Sequence, residues 1–278
     1  MFENEYDEIA SRYPETEIVY NSIQGMLRKE FVLKYLGSMK GSLLEVGCNT
    51  GDYLKSYDRG PVTGIDISCA IIDKAKKNVP WGNFLVGDGS KLPFEECAFR
   101  NILCSEVLEH VLNPEEFVKD FYRIQEYEGI LLITTPNYIG ADRPTWVEFD
   151  IYKKYGLNIG KIFHTAYNPL ELTKMVEDVG YSVLEYGTLE QEALVLYYFV
   201  AQINRYTKRF LNKQFFKNIY EIAAEQILNA EQVVKVNNFE KRYYATMLRR
   251  LLHPIFKLYE TKYFSEGPRS YILAKKDR

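Results

Sequence analysis

Between Ser42 and about Tyr186 the chain alternates short apolar runs with amphipathic stretches. LLEVG, VTGID, NFLVGD, NILCSE, ILLITT and YSVLEYG have the length and residue types of strands, and the segments between them have helical spacing. Such alternation predicts an α/β domain, doubly wound, with helices on both faces of a mostly parallel sheet. Ahead of it, in residues 1–40, Ile18, Ile23, Met26, Phe31, Val32, Leu33 and Leu36 recur at three to five residues with charges between them, which predicts a helical cover. From Glu190 to Pro268 the period stays helical, with no strand-like alternation. RSYILAKK, residues 269–276, then returns to strand character. The economical organisation is a hairpin in which YSVLEYG pairs antiparallel with RSYILAKK, its connection holding an inserted all-helical subdomain. The expected domains are therefore 1–40 as cover, 41–189 with 269–278 as core, and 190–268 as insertion.

Composition removes several classes. In 278 residues, 46% hydrophobic and 26% charged residues make a globular chain with a sizeable core. A net charge of -3 supplies no global field for nucleic acid or an anionic membrane. Cys48, Cys69, Cys97 and Cys104 have no CxxC spacing, which argues against a zinc site or disulfide framework. Residues 1–12 lack the apolar region of an export signal, so a cytoplasmic protein is expected. The apolar run Ala193–Ile203 is about half of the roughly 20 residues a membrane span needs. Locally the picture changes, because residues 190–268 hold 12 Lys/Arg against 8 Asp/Glu. Within them, 193–217 combine an apolar aromatic face with Arg205, Lys208, Arg209, Lys213 and Lys217. That pattern suits a cover over an acceptor pocket, or peripheral contact with a membrane surface.

The chemistry-bearing signal lies at the strand ends. In LLEVGCNTGDYL, residues 43–54, a strand enters a glycine turn that allows close approach of a ligand, with a helix expected after it. VTGIDIS ends in Asp66, twenty-one residues after Glu45, where a carboxylate can accept hydrogen bonds from ribose hydroxyls. NFLVGD ends in Asp88 and Gly89, and NILCSEVLEHV opens into Ser105 and Glu106. Four successive strand ends thus carry ligand-binding residue types to one edge of a sheet, where doubly wound folds bind nucleotides. The spacing G-x-G-x-x-G of a dinucleotide dehydrogenase is absent from GCNTGD.

EVGCNTG, GIDIS, GDGSKLPF, CSEVLEHV and GILLITTPN, in this order, resemble the class I S-adenosylmethionine-dependent methyltransferases, in the branch that includes the ubiquinone-biosynthesis enzymes. The resemblance covers residues 40–186 and the last strand. It implies a Rossmann-like sheet of seven strands with the last antiparallel, and S-adenosyl-L-methionine as methyl donor. It further implies that Glu45, Gly47, Asn49 and Gly51 frame the methionine part, that Asp66 holds the ribose, and that Asp88 and Gly89 face the adenine. Ile67 would stack on the base, and Ser105 would be a further donor-binding residue. Asn49 stands where the family's EVGCGTG has glycine; asparagine is among the few side chains that tolerate positive φ, so the turn should survive.

Three histidines are present in the chain, and two fall near this edge. Glu106, Glu109 and His110 form an E-x-x-E-H run whose members would share one face if the turn continued as helix. His164 precedes the helix-like NPLELTKMVEDVG. Together the four could hold a divalent ion such as Mg with positions open to substrate oxygens. That set resembles the metal sites of catechol-directed ubiquinone O-methyltransferases and of small-RNA 2′-O-methyltransferases. In the metal-free reading, His110 or His164 is the general base. Asn137, Tyr138 and Trp146 are candidates for acceptor contact, Tyr6 and Tyr13 for a lid, and His253 for a structural role. The expected function is methyl transfer to oxygen on a small-molecule, glycan or lipid-intermediate acceptor. Metal-assisted methylation of RNA ends and a silent donor-binding module remain as alternatives, the acidic balance speaking against nucleic acid.

Overall fold

The computed structural model of the chain describes residues 6–9, 23–89, 91–137, 146–147, 162–190 and 268–278. Its elements are α1 (Ile23–Leu36), β1 (Leu43–Val46), β2 (Val62–Asp66), α2 (Cys69–Asn78), β3 (Asn83–Val86), β4 (Asn101–Ser105), α3 (Pro114–Ile124), β5 (Ile130–Pro136), β6 (Trp146–Val147), β7 (Ile162–Phe163), α4 (Pro169–Val179), β8 (Tyr181–Leu189) and β9 (Arg269–Lys276). By contacts the chain divides into two compact units, Met1–Tyr13, Phe31–Thr188 and Arg269–Arg278 forming one, Pro14–Glu30 and Leu189–Pro268 the other. In the second unit, Arg28 and Glu190 make an ion pair of 3.7 Å. Of the 190–268 insertion expected from the sequence, residues 191–267 lie outside the described residues, as do Tyr13, Tyr138 and His253.

The first unit is built on a seven-stranded sheet in the order β3-β2-β1-β4-β5-β9-β8. β1 to β5 run parallel to their neighbours, whereas β9 runs antiparallel to β5, with Ile130 opposite Lys275 and Pro136 opposite Arg269. Ser182 Oγ donates to Asp277 at one end of β8, and Gly187 lies against Tyr271 towards the other, so β8 and β9 are also antiparallel. The central strands were legible as short apolar runs because both faces of a parallel sheet are buried, and along each strand the side chains alternate between those faces. Leu44 and Val46, Ile102 and Cys104, Leu131 and Ile133, and Ile272 and Ala274 occupy one face. They meet Phe117, Val118 and Phe121 of α3 and Leu172 and Val176 of α4 in one buried cluster.

Local chemistry sets the helix ends. Ser68 caps α2 by accepting from the N–H of Ile71. Asn168 and Glu171 form a capping box at α4, Pro169 opens it, and Gly180 at φ 111 closes it. The helix expected after the glycine turn is not there. Only a single 3₁₀ turn, Leu54–Ser56, follows it. The Tyr57 hydroxyl donates to the Gly41 carbonyl at 2.8 Å, and a Cβ on Gly60 would meet Gly41 O at 2.1 Å. Gly60 and Pro61 then lead directly into β2, leaving no length for another helical turn. No helix among the described residues is long and apolar enough to cross a membrane.

Candidate functional site

The residues expected to bind the donor gather where β1, β2 and β3 end. Gly47, Asn49 and Gly51 all have positive φ, at 70°, 46° and 75°, so the departure at Asn49 keeps the turn the sequence required. The turn is fastened to β2: the N–H groups of Gly47 and Cys48 both donate to Ile65 O. Asn49 N donates to Asp66 Oδ2 at 3.0 Å, and Ser68 N to Oδ1 at 3.0 Å. Burial pushes the Asp66 carboxyl above its ordinary range, and the N–H groups of Ser68, Asn49 and Ile67 pull it partway back. Gly47 lies beneath the next turn, since an added Cβ would stand 2.2 Å from Val107 Cγ2.

Glu45 is buried at the end of β1, and its Oε2 has no hydrogen-bond partner. Burial first, and the nearby Asp52 and Asp66 next, hold its carboxyl well above the usual range. A buried acceptor of this kind, beside a glycine cradle and Asp66, fits a donor molecule that presents an ammonium and ribose hydroxyls. Asp88 is exposed at the end of β3, whereas Gly89 packs on Phe117 and Val46. Asp120 and Arg123 of α3 brace the loop after β3, Asp120 accepting from Leu92 N at 2.7 Å and Arg123 donating to the carbonyls of Phe94 and Leu92. Ile67 is half-buried between Asp66 and Ser68.

The other half of the site follows β4 and β5. Ser105 Oγ and Thr134 Oγ1 are 2.9 Å apart. Glu106 adopts φ 59, its N–H donating to Thr134 O and its carboxylate accepting from Thr134 Oγ1 at 3.1 Å and Arg269 Nε at 2.6 Å. Residues Leu108–His110 form a 3₁₀ turn. From it Glu109 points inward, buried, to accept from Thr135 Oγ1, and its carbonyl accepts from Thr165 N. His110 Nδ1 lies 3.0 Å from the Phe163 carbonyl of β7. A carbonyl only accepts, so Nδ1 carries the proton and Nε2 of the neutral ring keeps a lone pair. The His164 ring stands edge-on to His110 at 5.3 Å. Burial lowers both histidines; His164, which also faces His110 and Arg269, is pushed down to about 4.

The structure thus brings His110 and His164 together, but it does not assemble the expected metal set. Positive φ at Glu106 and a 3₁₀ turn at Glu109 and His110 abolish the shared helical face. Glu106 is committed to Arg269 and Thr134, and Glu109 turns into the core. Among the described residues no group of three or more His, Cys, Asp or Glu is arranged to hold a metal ion. The four cysteines are free thiols.

Three contributors went unread in the sequence. Asp7, in the helical residues 6–9, accepts from Ser68 Oγ at 2.6 Å and Ala70 N at 3.2 Å, and Tyr6 meets the His110 ring at 6.2 Å. The segment therefore touches both the donor and the histidine sides. Val107 covers Gly47. Arg269 reaches the site because an antiparallel strand begins at the edge where parallel strands end; its position at the start of RSYILAKK was the available signal. Asn137 is buried just beyond β5, and Trp146 lies in the two-stranded β6–β7 ribbon opposite Phe163.

Residues 44–133 match the family model described as a methyltransferase domain. The chain is 30% identical over 167 residues to the ubiquinone/menaquinone biosynthesis C-methyltransferase of Desulfotalea psychrophila, covering 56% of this chain and 65% of that protein. It is 26% identical over 110 residues to the malonyl-acyl-carrier-protein O-methyltransferase of Legionella pneumophila, covering 37% and 39%. The chain thus spans less than two thirds of either relative. Among solved structures, the fold is similar to a Haemonchus contortus phosphoethanolamine N-methyltransferase in complex with phosphomonomethylethanolamine and S-adenosylhomocysteine. That likeness has a TM-score of 0.59 and 16% identity, over 100% of this chain and 60% of the other.

Proposed function

We propose that the chain is a class I S-adenosylmethionine-dependent methyltransferase of the ubiquinone-biosynthesis-like branch, a reading supported by the family match over residues 44–133 and by the 30% identical relative, and that it methylates a hydroxyl oxygen on a small-molecule, glycan or lipid-intermediate acceptor. The observation that carries the reading is the convergence of Glu45, the Gly47–Gly51 turn and Asp66 at one sheet edge, with His110 and His164 facing each other beside it. S-adenosylmethionine supplies a methyl group already activated on a sulfonium. The protein's task is then mostly placement.

Asp66 would accept from the ribose hydroxyls, and Glu45 would meet the methionine ammonium across the turn at Gly47, Asn49 and Gly51. Ile67, Asp88 and Gly89 would border the adenine, with Ser105 on the side facing the acceptor. His110, neutral at physiological pH and protonated on Nδ1, would offer Nε2 to an acceptor hydroxyl as it loses its proton. His164, also neutral, leaves the pair uncharged and able to take that proton. Tyr6, placed against His110, would help to exclude water.

Calorimetric titration of S-adenosylhomocysteine into wild type and Asp66→Ala, with chelator and again with magnesium, tests this reading. Wild type should bind equally in both conditions. Loss of charge-assisted hydrogen bonds worth about 1.5–3 kcal/mol should weaken Asp66→Ala by roughly 10–100-fold. Absence of binding by wild type would overturn the donor site and with it the methyltransferase reading; binding that needs magnesium would revive a metal.

A further inference from the structure

Arg269 stands 163 residues from Glu106 in sequence, yet its Nε meets the Glu106 carboxylate at 2.6 Å. Both side chains are about three quarters buried, at 24% and 21% exposure. Three further observations distinguish this pair from an incidental surface contact. Glu106 pairs with Arg269 from a backbone at φ 59, a conformation that non-glycine residues rarely adopt. Its carboxylate also accepts from Thr134 Oγ1, while its N–H donates to Thr134 O, so one residue is tied to both β5 and β9. The turn that begins at Glu106 ends at His110, whose Nδ1 meets the Phe163 carbonyl. Thr165 N grips the same turn at Glu109 O. Position along β9 explains how Arg269 arrives: it is the first residue of the strand and pairs with Pro136, whose carbonyl accepts from Tyr167 N three residues beyond His164.

The geometry points to Arg269 as a positioning residue that acts through Glu106. By fixing the start of the 106–110 turn, Arg269 holds His110 on the Phe163 carbonyl and so selects the ring form that leaves the lone pair on Nε2. His164 feels the same two charges, Arg269 opposing its protonation and Glu106 favouring it. The inference assigns Glu106 to this clamp. It rests on the reading of His110 as the acceptor-side base, but concerns the arrangement of the ring, which is measurable without an acceptor.

The test is the ring-nitrogen spectrum of the full chain labelled with ¹⁵N-histidine, assigned with His110→Asn and His164→Asn. Wild type should show two well separated ring-nitrogen shifts for His110, the signature of one fixed neutral form. In Arg269→Gln that separation should collapse towards an averaged value, and Arg269→Lys should restore most of it by returning a cation to Glu106. Glu106→Gly should show the same collapse, glycine accepting φ 59 without strain; this variant keeps the test open if Arg269→Gln does not fold. Wild-type His110 shifts in a folded Glu106→Gly, or in a folded Arg269→Gln, would overturn the proposal. S-adenosylhomocysteine titration of the same samples separates the two readings: unchanged affinity with collapsed shifts supports the clamp. Failure of wild type to bind removes the donor site but leaves the histidine comparison intact.

Discussion

Glu45 is an acid placed where ionisation is costly. Its carboxyl titrates above the unfolded value because burial disfavours the charged form. A group whose folded pKa is raised weakens the fold progressively as pH rises above the unfolded value, here about 4.5. Glu45→Gln removes that titration. We therefore expect the variant to gain thermal stability over wild type as pH rises from about 4.5 to 8, with little difference at the acidic end, while S-adenosylhomocysteine affinity falls. A melting series across pH reads the first effect and calorimetry the second; parallel curves would show that burial of this acid carries no energetic penalty. At this scale the sequence disclosed residues whose role depends on near neighbours, such as Asn49, where the turn alone demands positive φ. It concealed Asp7 and Arg269, since their partners Ser68 and Glu106 lie 61 and 163 residues away and only the folded sheet brings them together.

Two turns, after β1 and after β4, form the site by pressing on each other, and the contact is Gly47 against Val107. Gly47→Ala would combine a Cβ 2.2 Å from Val107 Cγ2 with φ 70. The strain alone is worth about 1–2 kcal/mol, and the overlap should raise the total to about 3 kcal/mol or more. In a Val107→Ala background the overlap vanishes, so Gly47→Ala should cost only about 1–2 kcal/mol. A double-mutant cycle in urea unfolding measures the difference, and additivity would show that the turns do not press on each other. Strands were readable as elements because apolar runs and alternation are local properties; α4 was readable from its Asn-Pro start and Gly end. The helix expected after Asp52 and the helical face expected for Glu106, Glu109 and His110 were not realised. In the first case the chain had to return to Gly41, and in the second the turn was captured by β5, β7 and β9, constraints that no local pattern contains.

Across the whole molecule, β9 joins the two ends of the sheet's architecture. Arg269 begins it at the site, and Lys276 ends it at the base. There Lys276 Nζ donates to the carbonyls of Tyr122 and Gln125 at 2.7 and 2.8 Å and lies over the Tyr122 and Tyr127 rings. Lys276→Met would leave those carbonyls at the end of α3 without their donor, and should destabilise by about 2 kcal/mol in urea unfolding. A change below about 0.5 kcal/mol would mean that water replaces the ammonium at no cost. The hairpin of YSVLEYG and RSYILAKK could be read across the intervening residues because both runs are strand-like and the stretch between them is not. Which strand would lie inside was not readable, because pairing order depends on partners rather than on pattern.

That order fixes a sequence of events in folding. β9 lies between β5 and β8, so neither neighbour can close against the other, and each presents a row of open backbone groups until residues 269–276 enter. The five parallel strands form from segments close along the chain, whereas the β5–β9 register joins Ile130 to Lys275. Bringing such distant segments together is the entropically expensive and slow step. Refolding should therefore pass through a species with a nearly finished parallel sheet and an unfilled slot beside β5, and in that interval the chain is most exposed to pairing with a strand from another molecule.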